Sequence, residues 1–245
     1  MTPASGKNLR FVCVARTHVG CRRKINEDAM LSRPGLWAVA DGMGGHEAGE
    51  VASALVVDTL EHALVVRDFA PRLAAIGAAL QKANYQLQGM AQGIGKRRTI
   101  GSTVVAMAAE GAAFACLWAG DSRAYLARDG GLRQLTHDHS LVQQLVDSGD
   151  IDPKQASSHP NANIILRAVG AAPELELESV EGEAREGDVF LLASDGLTRL
   201  VSDSELLAEL VAQDMEAAAD RLLQTCLARK APDNVTFVII RAEAG

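Results

Sequence analysis

The stretch Thr103-Val104-Val105-Ala106-Met107-Ala108-Ala109-Glu110-Gly111-Ala112-Ala113-Phe114-Ala115-Cys116-Leu117-Trp118 decides the fold. Two apolar runs, Thr103 to Ala108 and Ala113 to Trp118, flank Glu110-Gly111. That spacing suits a tight turn and is far too short for a parallel crossover, so the two runs must pair antiparallel. A third run, Ala124 to Arg128, leads into Asp129-Gly130-Gly131, a second hairpin-turn signal. The middle of the chain is therefore expected to be an antiparallel meander, which argues against a doubly wound parallel sheet.

Further strand signals lie outward at Phe11 to Ala15, Leu36 to Ala40, Val189 to Ala193 and Val235 to Arg241. Helical patterns bracket the β-rich middle, at Glu47 to about Val66, Arg72 to about Ala91, Asp203 to Val211 and Met215 to Arg229. Pro71 suits the first turn of the second helix, where its missing N–H costs nothing. Ser202 followed by Glu205 reads as a capping box for the third. In the first helix Val51, Leu55, Val56, Thr59, Leu60 and Leu64 make one apolar stripe. Helices with a single apolar face beside antiparallel sheets give an α+β layered domain, expected here as two sheets packed face to face with helices outside.

The chain has 245 residues, 48% of them hydrophobic, which is enough for one sizeable core, and no linker or repeat divides it; a single domain over 1–245 is expected. A formal charge of −7 argues against a nucleic-acid partner, the only dense basic run being Lys96-Arg97-Arg98. The cysteines at 13, 21, 116 and 226 have no paired Cys-x-x-Cys spacing, and buried, reduced thiols are expected. Neither a signal peptide nor a membrane span is visible, so a cytoplasmic protein without membrane insertion is expected.

Four acidic motifs stand at the ends of apolar runs: Arg23-Lys24-Ile25-Asn26-Glu27-Asp28, Asp41-Gly42-Met43-Gly44-Gly45-His46, Ser194-Asp195-Gly196 and Asp233-Asn234. One Asp-Gly pair after a strand has a plain explanation, because both residues start turns cheaply. Four acidic strand ends together suggest more, since carboxylates gathered away from bulk water need a positive partner. Magnesium and manganese take oxygen ligands from several chain segments, and glycine after Asp41 would let the Gly42 carbonyl approach such an ion. Two ions would clamp and acidify a water for in-line attack on phosphorus, with Arg23 forking onto the phosphate oxygens.

The ordered set Gly20-Cys21-Arg22-Arg23-Lys24-Ile25-Asn26-Glu27-Asp28, Ala40-Asp41-Gly42-Met43-Gly44-Gly45-His46, Gly101-Ser102-Thr103, Ala119-Gly120-Asp121-Ser122-Arg123, Leu135-Thr136-His137-Asp138-His139-Ser140, Ala193-Ser194-Asp195-Gly196-Leu197 and Pro232-Asp233-Asn234-Val235-Thr236 resembles the metal-dependent Ser/Thr protein phosphatases of the 2C type, in their compact bacterial form. The resemblance runs from about residue 10 to about residue 241. It implies a four-layer α-β-β-α sandwich of two antiparallel sheets flanked by helix pairs. It implies hydrolysis of phosphoserine and phosphothreonine by direct attack of a metal-bridging water. Two Mn2+ or Mg2+ ions form the implied core site: Asp41 bridges them, the Gly42 carbonyl holds one, and Asp195 and Asp233 hold the other. Glu27 and Asp28 match positions acting through metal-bound water, Arg23 the phosphate-binding arginine, and Asp121 a residue that joins Asp195 at a third, weaker ion.

Two departures matter. Met43 stands where animal members have a histidine proposed as general acid, which leaves His46 as the nearest candidate proton donor. Ser102 stands where threonine is commoner, and it keeps a hydroxyl donor. The polar stretch at about 138–163, with Pro153, Pro160 and a short apolar stripe at Leu141, Val142, Leu145 and Val146, matches the family's flap. The implied partners are phosphorylated proteins, a Ser/Thr kinase and its targets, met by a monomer. His137-Asp138-His139 lacks a third ligand and reads as hydrogen-bonded rather than metal-binding. Gly93-Ile94-Gly95-Lys96 lacks the residues of a nucleotide-binding loop. A non-catalytic binding module and a metal-dependent nuclease or small phosphoester hydrolase are the competing functions; the retained carboxylates count against the first, and the acidic surface and lack of an aromatic stacking platform against a nucleic-acid substrate.

Overall fold

The turns marked in the sequence set the strand order. The computed structural model describes residues 9–44, 48–66, 68–93 and 100–245. In chain order the elements are β1 (Leu9–His18), β2 (Asp28–Arg33), β3 (Leu36–Met43), α1 (Ala48–Glu61), α2 (Phe69–Gly93), β4 (Gly101–Ser102), β5 (Val104–Glu110), β6 (Ala113–Ala119), β7 (Arg123–Arg128) and β8 (Gly131–Gln134). There follow α3 (Leu141–Asp147), β9 (Glu178–Glu183), β10 (Val189–Ala193), α4 (Asp195–Thr198), α5 (Asp203–Leu210), α6 (Met215–Ala228) and β11 (Val235–Ala244), with single 3-10 turns at His62–Val65 and Pro153–Ser158.

β5 and β6 form the expected hairpin, Glu110 facing Ala113 across a loop in which Gly111 has φ +58°. β7 and β8 form the second, Arg128 facing Gly131, with Asp129 and Gly130 at φ +52° and +75°. Two successive left-handed residues match the right-handed twist of the strands they join. The expected meander is nevertheless broken between these hairpins. β6 pairs with β5 and β9, whereas β7 pairs with β8 and β10 in the other sheet. Gly120, at φ +121°, begins this crossing, and a Cβ there would sit 2.6 Å from the Cβ of Thr103. The close approach leaves room only for glycine.

One sheet runs β1-β11-β10-β7-β8, and the other runs β2-β3-β5-β6-β9 with β4 on β3. All named pairs are antiparallel. Strand alternation then assigns each face. Trp37, Val39, Val105, Met107, Phe114, Trp118, Phe190, Leu192 and Val238 fill the space between the sheets. Leu36, Ala38, Val104 and Ala106 turn the other way, onto α1 and α2, whose Val56, Leu60, Ile76 and Leu80 cover them. Leu191, Phe237 and Ile239 likewise meet Leu206, Leu222 and Cys226 of α5 and α6. The result is the α-β-β-α sandwich.

Several local expectations shift. Val51 is exposed, because α1 turns the small Gly49, Ala52 and Ser53 inward with Val56, Thr59 and Leu60. Ser53 uses that proximity to donate its hydroxyl to the Glu27 carbonyl at 2.6 Å. Only two of the four free thiols, Cys116 and Cys226, are buried, while Cys13 and Cys21 are exposed. Pro71 falls in the first turn of α2 and the Ser202/Glu205 capping box forms as expected. Among the described residues no helix is long and apolar enough to cross a membrane.

Candidate active site

Four strand ends bring the acidic motifs to one rim of the sandwich. Asp28 opens β2 and lies opposite Asp41 in the register with β3. Ser194 and Asp195 follow β10, and Asp233 precedes β11, the neighbour of β10 in the sheet. Hydrogen bonds then join the two sheets. The Ser194 hydroxyl donates to Asp28 Oδ2 at 2.9 Å, and the Glu27 N–H donates to Asn234 Oδ1 at 2.8 Å. The Asn234 amide donates onward to the carbonyls of Val19 and Ile25, each at 3.0 Å. Both polar atoms of this buried Asn234 side chain are thus spent on holding the segment from Val19 to Glu27 beside the fourth motif.

A cleft of about 310 Å3 opens at this rim, lined by Arg23, Glu27, Asp41, Gly42, Met43, Gly44, Asp121, Asn163, Ile165, Asp195, Arg199 and Asp233. It gathers seven of the residues singled out in the sequence; Asp28, the cross-strand partner of Asp41, is not among the lining residues, and His46 lies outside the described residues together with Lys96-Arg97-Arg98. A second cavity of about 480 Å3 shares Asp121, Asp195 and Arg199 and is walled by Asp138, Ser140, Val142, Pro153, Ala156 and Ala162. Asp41 is seated by its own backbone: its N–H donates to Thr103 Oγ1 at 3.1 Å, and its carbonyl accepts from Ser102 Oγ at 3.1 Å. Ser102 therefore supplies the hydroxyl that a threonine would.

Electrostatic strain concentrates here. Burial pushes the Asp121 carboxyl up to about 7, reinforced by Asp195, and pushes Asp28 up to about 7 against hydrogen bonds from Thr236 and Ser194. Burial, then the charge of Asp28, raises Asp41 well above the usual carboxylate range. Burial raises Asp195 too, with Arg199 opposing. Two arginines meet part of this charge. Arg23 reaches Asp233 Oδ2 at 2.8 Å and Glu27 Oε2 at 3.4 Å. Arg199, which the motifs did not single out, reaches Asp195 Oδ2 at 2.9 Å and Asp121 Oδ2 at 3.4 Å, and also bonds Asn163 Oδ1 and the Ala162 carbonyl. The signal for it was its i, i+4 spacing from Asp195.

Among the described residues no three His, Cys, Asp or Glu side chains close on one point as a ready cation cage. The donor set nonetheless suits a hard divalent cation. It is all oxygen, its carboxyls raise one another's pKa, and the buried Asp121 Oδ1 has no hydrogen-bond partner. Such a cation would relieve the mutual repulsion and give the orphaned oxygen a partner. The other striking sequence cluster has no such character. His137 bonds Asp147 at 2.7 Å at the surface, and Asp138 is clamped by Arg123 through Nε at 2.9 Å and Nη2 at 2.7 Å.

Two facing sheets between helix layers, with an arginine-rimmed carboxylate cleft at one end, define a 2C-type phosphatase fold. The family model for protein phosphatase 2C matches residues 22–230, and the chain belongs to that family. It is 40% identical over 231 residues to the serine/threonine protein phosphatase PstP of Mycobacterium tuberculosis, an alignment that covers 94% of this chain and 44% of that protein. The chain thus spans less than half the length of that relative. The protein phosphatase PhpP of Streptococcus pneumoniae is 33% identical over 242 residues, covering 91% of this chain and 94% of that one. Among solved structures, PppA, a key regulatory component of T6SS in Pseudomonas aeruginosa, superposes with a TM-score of 0.89 at 41% identity, covering 96% of this chain and all of that one. The PstP catalytic domain in complex with two manganese ions gives 0.88 at 38% identity, covering 96% and 99%.

Proposed function

We propose that the chain is a metal-dependent phosphoprotein phosphatase that hydrolyses phosphoserine and phosphothreonine by direct water attack, without a phosphoenzyme. The observation that carries this reading is the convergence of Glu27, Asp41, Asp121, Asp195 and Asp233 with Arg23 at one cleft. Asp41 would bridge two Mn2+ or Mg2+ ions, with the Gly42 carbonyl on one and Asp195 and Asp233 on the other. Glu27 and Asp28 would act through ordered water, and Asp121 with Asp195 offers a weaker third position. When bound, the ions supply Lewis acidity and a water acidic enough to attack phosphorus.

The chain's own residues do the rest. Arg23 is half exposed at the mouth, where its planar guanidinium can take two phosphate oxygens while remaining anchored by Asp233. The 138–163 segment, as a flap over the second cavity, would choose among phosphoprotein substrates. The family suits a cytoplasmic role opposite a Ser/Thr kinase and its targets, carried out as a monomer. The proton donor to the leaving alcohol stays with His46 as the proposal from sequence.

Purified protein given a phosphothreonine peptide and Mn2+ should release phosphate, and EDTA should abolish it. Asp195→Ala should lose the activity while keeping its circular dichroism and cooperative unfolding. Undiminished turnover in EDTA, or an active Asp195→Ala, would overturn the reading.

A further inference from the structure

We infer that His139, as the Nε2–H tautomer of a neutral imidazole, is a positioning residue that grips the β6–β7 crossing and so fixes Asp121. The inference rests on the proposed function only for what Asp121 does. The grip is reciprocal: the His139 N–H donates to the Gly120 carbonyl at 2.9 Å, and the Gly120 N–H donates to His139 Nδ1 at 3.2 Å. A ring nitrogen that accepts carries no proton, so the proton of the neutral ring sits on Nε2. Glu178 of β9 places a carboxylate oxygen 3.2 Å from Nε2, without the alignment of a hydrogen bond, and this negative charge favours an N–H there over a lone pair. Arg167 holds the same Glu178 oxygen at 3.0 Å.

The ring is itself fixed. It stacks on Trp118 with centroids 6.2 Å apart and planes 19° from parallel, and the Trp118 indole N–H donates to the His137 carbonyl at 2.9 Å. The His139 carbonyl accepts from the Leu166 N–H at 2.7 Å. The crossing also lies close to Thr103, whose hydroxyl receives the Asp41 N–H. Gly120 thus neighbours the residue that seats Asp41 and is bonded by the ring of His139, and Asp121 is the next residue along. Burial lowers the His139 pKa, with Glu178 opposing, which keeps the ring neutral around neutral pH. Asparagine could reproduce the Nδ1 acceptor but neither the stack nor the Nε2–H.

The test uses the whole chain. Long-range 15N–1H spectra of the His139 ring should show a bare Nδ1 and a protonated Nε2; the opposite tautomer overturns the proposal. In EDTA, His139→Ala should speed amide exchange at Gly120 and Asp121 at least tenfold, with His139→Asn restoring most of the protection. In calorimetry with Mn2+, His139→Ala should weaken binding at least fivefold, with His139→Asn close to the parent. Unchanged exchange in His139→Ala would also overturn it, and if that variant does not fold, the tautomer and His139→Asn decide. Because exchange is read without cation or substrate, a failed phosphatase assay leaves this result separately legible.

Discussion

Gly196→Ala tests whether the site depends on a backbone contact rather than on side chains alone. A Cβ at Gly196 would lie 1.8 Å from the carbonyl oxygen of Asn234 and 2.9 Å from its carbonyl carbon. Both atoms are backbone, so no rotamer change relieves the clash. Reaching van der Waals contact requires the start of α4 and the start of β11 to separate by roughly 1.5 Å. Asp195 is the residue before Gly196 and Asp233 the residue before Asn234, so the separation acts directly on two carboxylates of the cleft. Overpacking of this kind costs about 1–3 kcal/mol, and a displacement near 1 Å costs about 100-fold in rate. Gly77→Ala is the control: it lies within α2 with nothing within 4 Å of its Cβ, and should stabilise by about 0.5–1 kcal/mol with no change in rate. Urea denaturation gives the stability, and kcat/KM on a phosphothreonine peptide at saturating Mn2+ gives the rate. A Gly196→Ala protein within about twofold of the parent in kcat/KM would refute the contact argument.

Chelation should expose the cost of the crowded carboxyls. Asp28 and Asp121, held near 7 in the folded chain, bind protons that the unfolded chain releases near 3.8, so the stability of the EDTA-treated protein should fall as pH rises from about 4 to about 7. Mn2+ should therefore raise Tm more at pH 7.5 than at pH 5.5, and equal shifts at the two pH values would contradict the assignment. Arg199→Ala removes a cation 2.9 Å from Asp195, and with part of that interaction screened by water it should tighten Mn2+ binding about tenfold by calorimetry; weaker binding would show that Arg199 assists the ion instead. Asp138→Ala leaves the part-buried Arg123 guanidinium with the Tyr125 hydroxyl but without its carboxylate and should cost about 2–3 kcal/mol in urea denaturation, whereas a loss below about 0.5 kcal/mol would mean that water replaces the carboxylate.

What could be read from the sequence follows from where each residue's signal originates. β10, with all five residues buried, was visible as an apolar run to the residue. β9 was not: Glu178-Ser179-Val180-Glu181-Gly182-Glu183 is an edge strand, charged as edges are, and Gly182 lets the Phe114 ring lie 2.8 Å from where a Cβ would stand. β2 escaped for a similar reason, with Leu31 its only fully buried residue. The sheet change after β6 left no mark in residue type, since Gly120-Asp121-Ser122 reads as a turn whether it joins paired strands or crosses between sheets. Arg199 drew no attention, and His139 was read only as a hydrogen-bonded member of His137-Asp138-His139, because the partners that matter to each are remote in sequence.

The Asp-Gly pairs admit a sharper account than turn formation. Gly42 lies inside β3, and Gly196 lies in the first turn of α4; neither has positive φ. What each requires is proximity. A Cβ at Gly42 would fall 2.6 Å from the Glu27 carbonyl oxygen and 1.9 Å from that of Gly49, as a Cβ at Gly196 would meet Asn234. The Gly42 N–H completes the first contact by donating to the Glu27 carbonyl at 3.0 Å. Each glycine therefore joins its own aspartate to a different acidic motif: Asp41 to Glu27-Asp28, and Asp195 to Asp233-Asn234. The Glu27–Asn234 and Ser194–Asp28 hydrogen bonds then tie the two pairs together. Side-chain carboxylates repel, so the force that assembles them is the contact between their backbones, and glycine is the residue that permits it.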